Sequence, residues 1–380
     1  MNRVTLKDSP YTFLQQRLGY MERHPDRAWT SICENVPQWP AGRLPPLAVA
    51  EPRYVTEYAP ASGYSELVEA IASREQRMYG FRPPQESVLV TNGALHALSL
   101  IFRAHYRPGA AVLCQAPVLG SITEILRHCG YRIIFFQVTR GRVDVERLRA
   151  ECTEDVRLIY FNSPHNPSGE VCTRETVEQL VALAQERQAG LVADMIYDSY
   201  CFGEERPINP LMISQDWQRL YAVNSMSKNY GAPGLRIGWI VSDPRNIAPL
   251  GGALERETVA VSGVSQVQAR RMLEHGNEAL LEAVRQGRQT ISERLSSFIT
   301  GVECEPPAGG VQYFLRLPVA DVEAFGDYML VEHGLVLVTT SNYDGLGGSF
   351  MRLPMGYPVA TLQRAMELLS LGLSAARERM

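Results

Sequence analysis

Residues 220–238 read LYAVNSMSKNYGAPGLRIG, a short apolar run followed by a serine-rich turn and a second apolar segment. Short apolar runs bounded by turn residues are typical of strands buried inside a sheet. Lys228 lies on the turn, and Arg236 follows it by eight residues. Alone, a lysine in such a turn is as compatible with a solvated surface position as with a function. Whether Lys228 is a surface lysine or a functional one therefore has to be decided from the rest of the chain.

Three apolar runs further upstream also end in glycine or polar residues. They are SVLVT-NGAL (87–95), LIYF-NSPHNPSG (158–169) and LVA-DMIY (191–197). The first has a glycine turn that opens a helix, whose free N–H groups and positive dipole suit a phosphate. The second presents Asn166 on a proline-rich loop, and the third ends a buried strand with a carboxylate. Each is also compatible with an ordinary role: a tight turn, a rigid loop or a helix cap.

Apolar runs alternate with segments of helical spacing through the first two thirds of the chain. This alternation predicts an α/β fold: a mostly parallel mixed sheet covered by helices on both faces, with ligands at the carboxyl ends of the strands. The predicted strands are 87–91, 111–114, 132–137, 158–161, 191–193, 220–223 and 237–241. The predicted helices are 66–79, 94–106, 122–129 and 173–188.

The two ends of the chain have different patterns. A long helix at 278–299, strands at 311–315, 335–338 and 350–353, and helices at 322–333 and 359–377 predict a smaller α+β domain. The proline-rich first 60 residues favour an irregular, extended arm or an active-site cover over a packed helix. We therefore predict an arm at 1–44 that joins the small domain, a large domain at 45–245 and a small domain at 246–380.

The composition excludes several classes of protein. Lys+Arg 37 against Asp+Glu 41 gives a net charge of -4, which is not the basic balance of a nucleic-acid binder. No run approaches the ~20 apolar residues that cross a bilayer, and the N-terminus lacks the apolar core of a secretory signal. Seven scattered cysteines without a CxxC pair argue against a disulfide framework or a zinc site. We expect a cytoplasmic protein with no metal, nucleic-acid or membrane partner.

In this order and combination, the motifs resemble those of the fold-type I pyridoxal-phosphate enzymes, aminotransferase class I/II. The resemblance covers roughly residues 35–353. It implies that the large domain binds pyridoxal 5′-phosphate. It also implies a homodimer with shared active sites, and small-molecule substrates: an L-amino acid and a 2-oxo acid.

The resemblance implies a role for each matching residue. Lys228 matches the lysine that forms a Schiff base with the cofactor and then moves the substrate proton, and Asp194 matches the partner of the pyridine nitrogen. The partners of the ring 3-oxygen are Asn166, which also faces the substrate, and Tyr197. The other cofactor and substrate contacts are the phosphate seat of Gly93, Ala94 and Leu95, the phosphate ligands Ser225, Ser227 and Arg236, Tyr58 reaching the neighbouring subunit's phosphate, and Arg352 holding the substrate α-carboxylate.

Two departures from the family pattern keep a second reaction class open. Leu119 stands where many members have an aromatic side chain over the cofactor ring, and 309–313 read GGVQY where a glycine-aromatic pair is usual. We expect an aminotransferase. The alternative is a pyridoxal-phosphate lyase, cyclase or oxidase, with chemistry like that of capreomycidine synthase or of arginine oxidation. No second arginine for a dicarboxylate is evident, since Arg43, Arg53 and Arg316 fit solvated surface charges as well.

Overall fold

The computed structural model describes residues 12–47, 51–203, 206–298 and 301–378. Its helices are α1 (Thr12–Glu22), α2 (Arg53–Thr56), α3 (Ser65–Tyr79), α4 (Ala94–His105), α5 (Gly120–Cys129), α6 (Val145–Glu151), α7 (Arg174–Arg187), α8 (Met226–Asn229), α9 (Pro244–Thr258), α10 (Gly263–His275), α11 (Glu278–Phe298), α12 (Val322–His333) and α13 (Val359–Glu378). Its strands are β1 (Thr30–Ser31), β2 (Val88–Thr91), β3 (Ala111–Ala116), β4 (Val118–Leu119), β5 (Arg132–Thr139), β6 (Arg142–Val143), β7 (Val156–Asn162), β8 (Gly190–Asp194), β9 (Leu220–Ser225), β10 (Gly238–Ser242), β11 (Gln312–Arg316), β12 (Leu335–Val336), β13 (Val338–Thr339), β14 (Tyr343–Asp344) and β15 (Phe350–Pro354).

The large sheet has eight strands in the order β2-β10-β9-β8-β7-β3-β5-β6. The strands from β9 to β5 are parallel, whereas β10 is antiparallel to both of its neighbours. Every residue of β3, β8 and β9 is buried, as continuous apolar runs require in a sheet flanked by helices. The predicted mixed sheet is therefore confirmed.

A second, three-stranded antiparallel sheet, β11-β15-β13, carries the C-terminal part of the chain. Two short ladders tie it to the rest of the molecule. In one, β1 of the N-terminal segment pairs in parallel with β12. In the other, β14 pairs with β4, which directly follows β3 of the large sheet. The three elements β1, β4 and β14 thus converge on one region between the two sheets.

The N-terminal segment differs from its prediction. Residues 12–22 form helix α1, which packs on α12, so the expectation of an irregular arm is wrong there; residues 1–11 lie outside the described residues. The reason is tertiary: Arg17 is almost fully buried and bonds to Glu323, Asp327, Thr339 and the carbonyl of Leu337. Propensity alone does not reveal such a contact.

The division of the chain at residue 245 stays a prediction. Helices α9 and α10 follow that point but contribute Leu250, Leu254 and Met272 to the core of the large sheet. The second core, around β11 and β15, includes Ile32, Tyr197 and Tyr200 from earlier in the chain, and its first buried member after residue 245 is Val284 on α11. Judged by side-chain packing, the chain leaves the core of the large sheet and enters the second core between His275 and Val284. Among the described residues, no helix has the length and apolar character needed to span a membrane.

Candidate active site

The carboxyl ends of the parallel strands bring the predicted polar residues together. Asn162 ends β7, Asp194 ends β8 and Ser225 ends β9, and these ends lie side by side. They border a cavity of about 430 Å³ whose lining includes Lys228, Asp194 and Arg352. The α1 helix and the segment after β1 close its other side with Leu14, Gln15, Leu18, Cys33, Glu34 and Asn35.

Lys228 is half-buried in the short helix α8 and faces this cavity. Ser225 caps the helix by accepting a hydrogen bond from the N–H of Ser227 at 3.3 Å. Burial lowers the pKa of the Lys228 ammonium to about 8, and the positive charges of Arg352 and Arg236 add to this effect. A fraction of the amine is therefore neutral, and hence nucleophilic, near neutral pH.

A buried polar cluster holds the Lys228 turn in place from below. Asp198 accepts hydrogen bonds from Asn229 at 2.7 Å and from Asn224 at 2.8 Å, and it pairs with the buried guanidinium of Arg74. The carbonyl oxygen of Lys228 itself accepts from the Tyr200 hydroxyl at 3.2 Å. The backbone beside the amine is thus fixed by charged hydrogen bonds, which are the stronger class.

Asp194 is a buried carboxylate without an ion-pair partner among the described residues. The Tyr160 hydroxyl donates to its Oδ2 at 2.9 Å, and the N–H of Ile196 donates to its Oδ1 at 3.3 Å. Burial raises the pKa of Asp194 to about 6, while these two donors and Lys228 oppose that rise. The site therefore holds a carboxylate that a cationic group would stabilise.

The glycine turn forms an anion seat at one end of the cavity. Gly93 has a φ of +78° and precedes α4, whose first N–H groups, at Ala94 and Leu95, lack helical partners. A side chain at Gly93 would collide with the guanidinium of Arg236. Arg236 donates to the Ser227 hydroxyl at 3.5 Å and pairs with no carboxylate in the described part of the chain. The helix dipole and this cation both favour an anion here.

Asn166 and Tyr197 also line the cavity. The Tyr197 hydroxyl accepts from the Asn35 amide at 3.0 Å, and burial raises its pKa. The side-chain oxygen of Asn166 accepts from the Tyr343 hydroxyl at 3.2 Å. Gln312, in the altered GGVQY segment, donates to the carbonyl of His165 at 2.9 Å and accepts from Asn35 at 2.7 Å. The departure at that segment thus supplies a link between three parts of the site.

Arg352 is a buried cation whose hydrogen bonds to the described residues are all to neutral groups. It donates to the Cys33 carbonyl at 2.7 Å and to the Tyr343 hydroxyl at 3.1 Å. Its Nε is buried and has no hydrogen-bond partner among the described residues. A buried guanidinium without a carboxylate is costly, so this arrangement fits a ligand that brings one.

The remaining predicted residues divide into two groups. Leu119, on β4, lines the cavity, as do Ser225 and Ser227. Tyr58 is 84% exposed and does not line it. The three arginines considered for a second carboxylate, Arg43, Arg53 and Arg316, are exposed and lie outside the cavity lining.

Several site residues escaped the sequence analysis. Tyr160 lies inside the apolar run LIYF. A tyrosine hydroxyl near the end of a buried strand could have indicated a site residue there. Tyr343, Asn35 and Glu34 carry no local signal, because each joins the site through pairing of distant segments. The same is true of the α1 residues Leu14 and Gln15.

Comparison with known proteins places this geometry in a family. The model of the family described as "Aminotransferase class I and II" matches residues 28–369. The L-aspartate:5-guanidino-3-methyl-2-oxopentanoate transaminase of Pseudomonas syringae pv. syringae is 40% identical over 375 residues, covering 98% of this chain and 96% of that protein. The 3-methylarginine biosynthesis aminotransferase ArgM of Streptomyces arginensis is 36% identical, covering 94% of this chain and 96% of that protein.

Solved structures agree on the fold. The aspartate aminotransferase of Thermotoga maritima superposes with a TM-score of 0.85 at 23% identity, covering 97% of this chain and 98% of that chain. The aspartate aminotransferase of Thermus thermophilus with maleate gives 0.81, also at 23% identity, covering 98% of this chain and 100% of that chain. The resemblance noted in the sequence is confirmed. The chain belongs to the class I and II aminotransferases, a family of pyridoxal-phosphate-dependent enzymes.

Proposed function

We propose that the cavity around Lys228 is the active site of this aminotransferase. The observation that carries the proposal is the shared cavity itself. A lysine with a pKa of about 8, a buried unpaired carboxylate and a buried arginine without a carboxylate all line it. Perturbed groups that converge on one cavity are the physical signature of a catalytic site.

The residues present fit pyridoxal phosphate. The α4 N-terminus, Arg236, Ser225 and Ser227 offer donors and positive charge for its phosphate, and the absent side chain at Gly93 leaves that seat open. Asp194 would hold the protonated pyridine nitrogen, since the carboxylate has no other cation in the described chain. When bound, the cofactor supplies an aldehyde that captures amines and a ring that accepts an electron pair.

Lys228 is then the group that moves the proton. With a pKa of about 8, its Nζ exists in both forms near neutral pH, so it can accept the proton from the substrate α-carbon and later return it. The Asp198 cluster keeps the turn that carries this amine in one position. Tyr197 and Asn166 would hold the ring oxygen, and Leu119 would pack against the ring face through dispersion contacts.

Arg352 would orient the substrate by its α-carboxylate. Its two hydrogen bonds, to the Cys33 carbonyl and Tyr343, fix the guanidinium plane at the cavity wall. A planar guanidinium binds a carboxylate through parallel hydrogen bonds and therefore sets its orientation. The α-carbon is thereby directed towards Lys228, which lines the same cavity.

The substrate class is proposed from the relatives. Of two relatives that match nearly the whole chain, the one at 40% identity is named for L-aspartate and a guanidino 2-oxo acid, and the one at 36% for 3-methylarginine biosynthesis. We propose that this chain likewise transfers the amino group of an amino acid to a 5-guanidino-2-oxo acid. The lyase, cyclase and oxidase alternative is not favoured by these relatives.

We further propose a cytoplasmic homodimer. The segment around α2 exposes large apolar side chains, with Leu47 at 77%, Val55 at 71% and Tyr58 at 84% exposure. A run of exposed apolar residues is typical of a protein interface. In a dimer, Tyr58 would contact the phosphate seat of the neighbouring subunit. The scattered, unpaired cysteines support a reducing compartment.

The first test uses the scarcity of lysine in this chain, since Lys7 and Lys228 are its only lysines. Lys228→Ala is expected to reduce turnover by about 10³-fold or more, because no other amine is available to move the proton. Lys7→Arg is the matched control and should retain activity. Borohydride reduction followed by peptide mass analysis should find the cofactor on Lys228. Turnover in Lys228→Ala close to that of the control would overturn the assignment.

A further inference from the structure

The charged groups that line the cavity do not balance once the cofactor and α-carboxylate contacts are assigned. Among the described lining residues, the cations are Lys228, Arg236 and Arg352, and each already has a role. The carboxylates are Asp194, assigned to the pyridine nitrogen, and Glu34, which has none. The cavity therefore has an unassigned negative charge and no unassigned positive one.

Glu34 is held at the cavity by its neighbours on both sides. Its own N–H donates to the Tyr357 hydroxyl at 3.1 Å. The preceding carbonyl, of Cys33, accepts from Arg352, and the following side chain, of Asn35, bonds to Tyr197 and Gln312. The backbone of Glu34 is thus fixed relative to the arginine that binds the α-carboxylate.

The carboxylate of Glu34, by contrast, is uncommitted. It makes no hydrogen bond or ion pair within the part of the chain that the structure describes, and its side chain is exposed. It nevertheless lies near enough to the Lys228 ammonium to favour the charged form of that amine. A carboxylate without a partner among the described residues, carried on a backbone that is fixed beside Arg352, can bind a cation in the side chain of the substrate.

Part of the wall of the same cavity is apolar. Leu14, Leu18, Val118, Leu119 and Ile122 line it. Such a surface suits a chain of methylene groups, as in side chains that have an aliphatic stem and a charged tip. The aliphatic Leu119 at the position where many relatives have an aromatic ring belongs to this wall.

We propose that Glu34 is the specificity-determining residue that binds the cationic end of the substrate side chain. The ligand class is an α-amino or α-oxo acid with an aliphatic stem that ends in a guanidinium or ammonium group. This inference rests on the proposed active site and deepens it. It assigns to a residue of this chain the selectivity that the names of the relatives only suggest.

The test separates binding from turnover by using a ligand that cannot react. 5-Guanidinopentanoate has the carboxylate, stem and guanidinium of arginine but no amino group, and heptanoate has a neutral tail of similar length. Calorimetry on the cofactor-loaded enzyme is expected to show that Glu34→Gln weakens binding of 5-guanidinopentanoate by about tenfold or more, since it removes a charge-assisted contact. The affinity for heptanoate should change by less than about twofold, because this ligand brings no charge to Glu34.

Glu86→Gln is the matched control. It removes the same charge, and Glu86 is exposed and does not line the cavity. Equal affinity of wild type and Glu34→Gln for 5-guanidinopentanoate would overturn the proposal. A different result would contradict the proposed function: a wild-type enzyme that converts no amino acid to its oxo acid. The wild-type enzyme could convert L-arginine while Glu34→Gln keeps the same selectivity for arginine over L-norleucine. That result would contradict the role of Glu34 but not the proposed function.

Discussion

At the residue scale, the most informative group is the buried carboxylate of Asp194. Its pKa of about 6 results from burial, opposed by the hydrogen bond from Tyr160. Above that pH the carboxylate is charged and can stabilise a protonated ring nitrogen; below it, the group becomes neutral and loses that ability. Because the bound ring cation would itself favour the charged carboxylate, activity is expected to decline only as the pH falls below about 6.

Tyr160→Phe tests this dependence. The substitution removes a donor that favours the ionised form, so the pKa of Asp194 should rise further, and the acidic limb of the kcat/KM profile should move up by about one pH unit. The loss of activity should therefore be larger at pH 6 than at pH 8. Tyr221→Phe is the control, since that hydroxyl bonds to His105 instead. A profile identical to that of wild type would contradict the role of Tyr160.

Much of the site was predictable at this scale because each of its main residues is marked by the local sequence around it. Lys228, Asp194 and Asn166 each follow an apolar run, and neighbouring parallel strands must bring such ends together. Arg352 was placed by resemblance, but its bond to the Cys33 carbonyl was not predictable, because 319 residues separate the two. Long-range hydrogen bonds leave no periodic trace in a sequence.

At the element scale, helix α1 shows how tertiary contacts override local pattern. The strands were predicted well because an apolar run is itself the cause of burial. In α1 the buried position is occupied by Arg17, a residue that normally indicates a surface. Its guanidinium bonds to Glu323, Asp327, Thr339 and two carbonyl oxygens, which docks α1 on α12 and β13.

Arg17→Met is expected to release this helix. It leaves the partners of Arg17 unsatisfied, at a cost of about 3 kcal/mol or more. Amide hydrogen exchange in residues 12–22 should accelerate, and KM should rise more than kcat falls, since Leu14, Gln15 and Leu18 line the cavity. Arg23→Met, at an exposed position near the end of the helix, is the control. Unchanged exchange in α1 would mean that Arg17 does not hold it.

At the scale of the whole molecule, the proposed dimer has a direct test. If Tyr58 serves the neighbouring subunit, Tyr58→Phe should weaken cofactor binding about tenfold through loss of a hydrogen bond to a charged group. Light scattering should give the mass of two chains. At cofactor concentrations too low to load Tyr58→Phe, mixing this variant with Lys228→Ala should form hybrid dimers with one intact site and so give more activity than either variant alone. A monomer, or hybrids with no intact site, would contradict shared sites.

The two sides of the cavity come from different sheets. Lys228 and Asp194 follow strands of the large sheet, whereas Arg352 belongs to the small one and holds the N-terminal segment through Cys33. A substrate bound as proposed would contact both sides and so bridge the two sheets. A molecule that contacts only one side would leave the reacting carbon open to solvent, so we expect the same contacts to govern both selectivity and the exclusion of water.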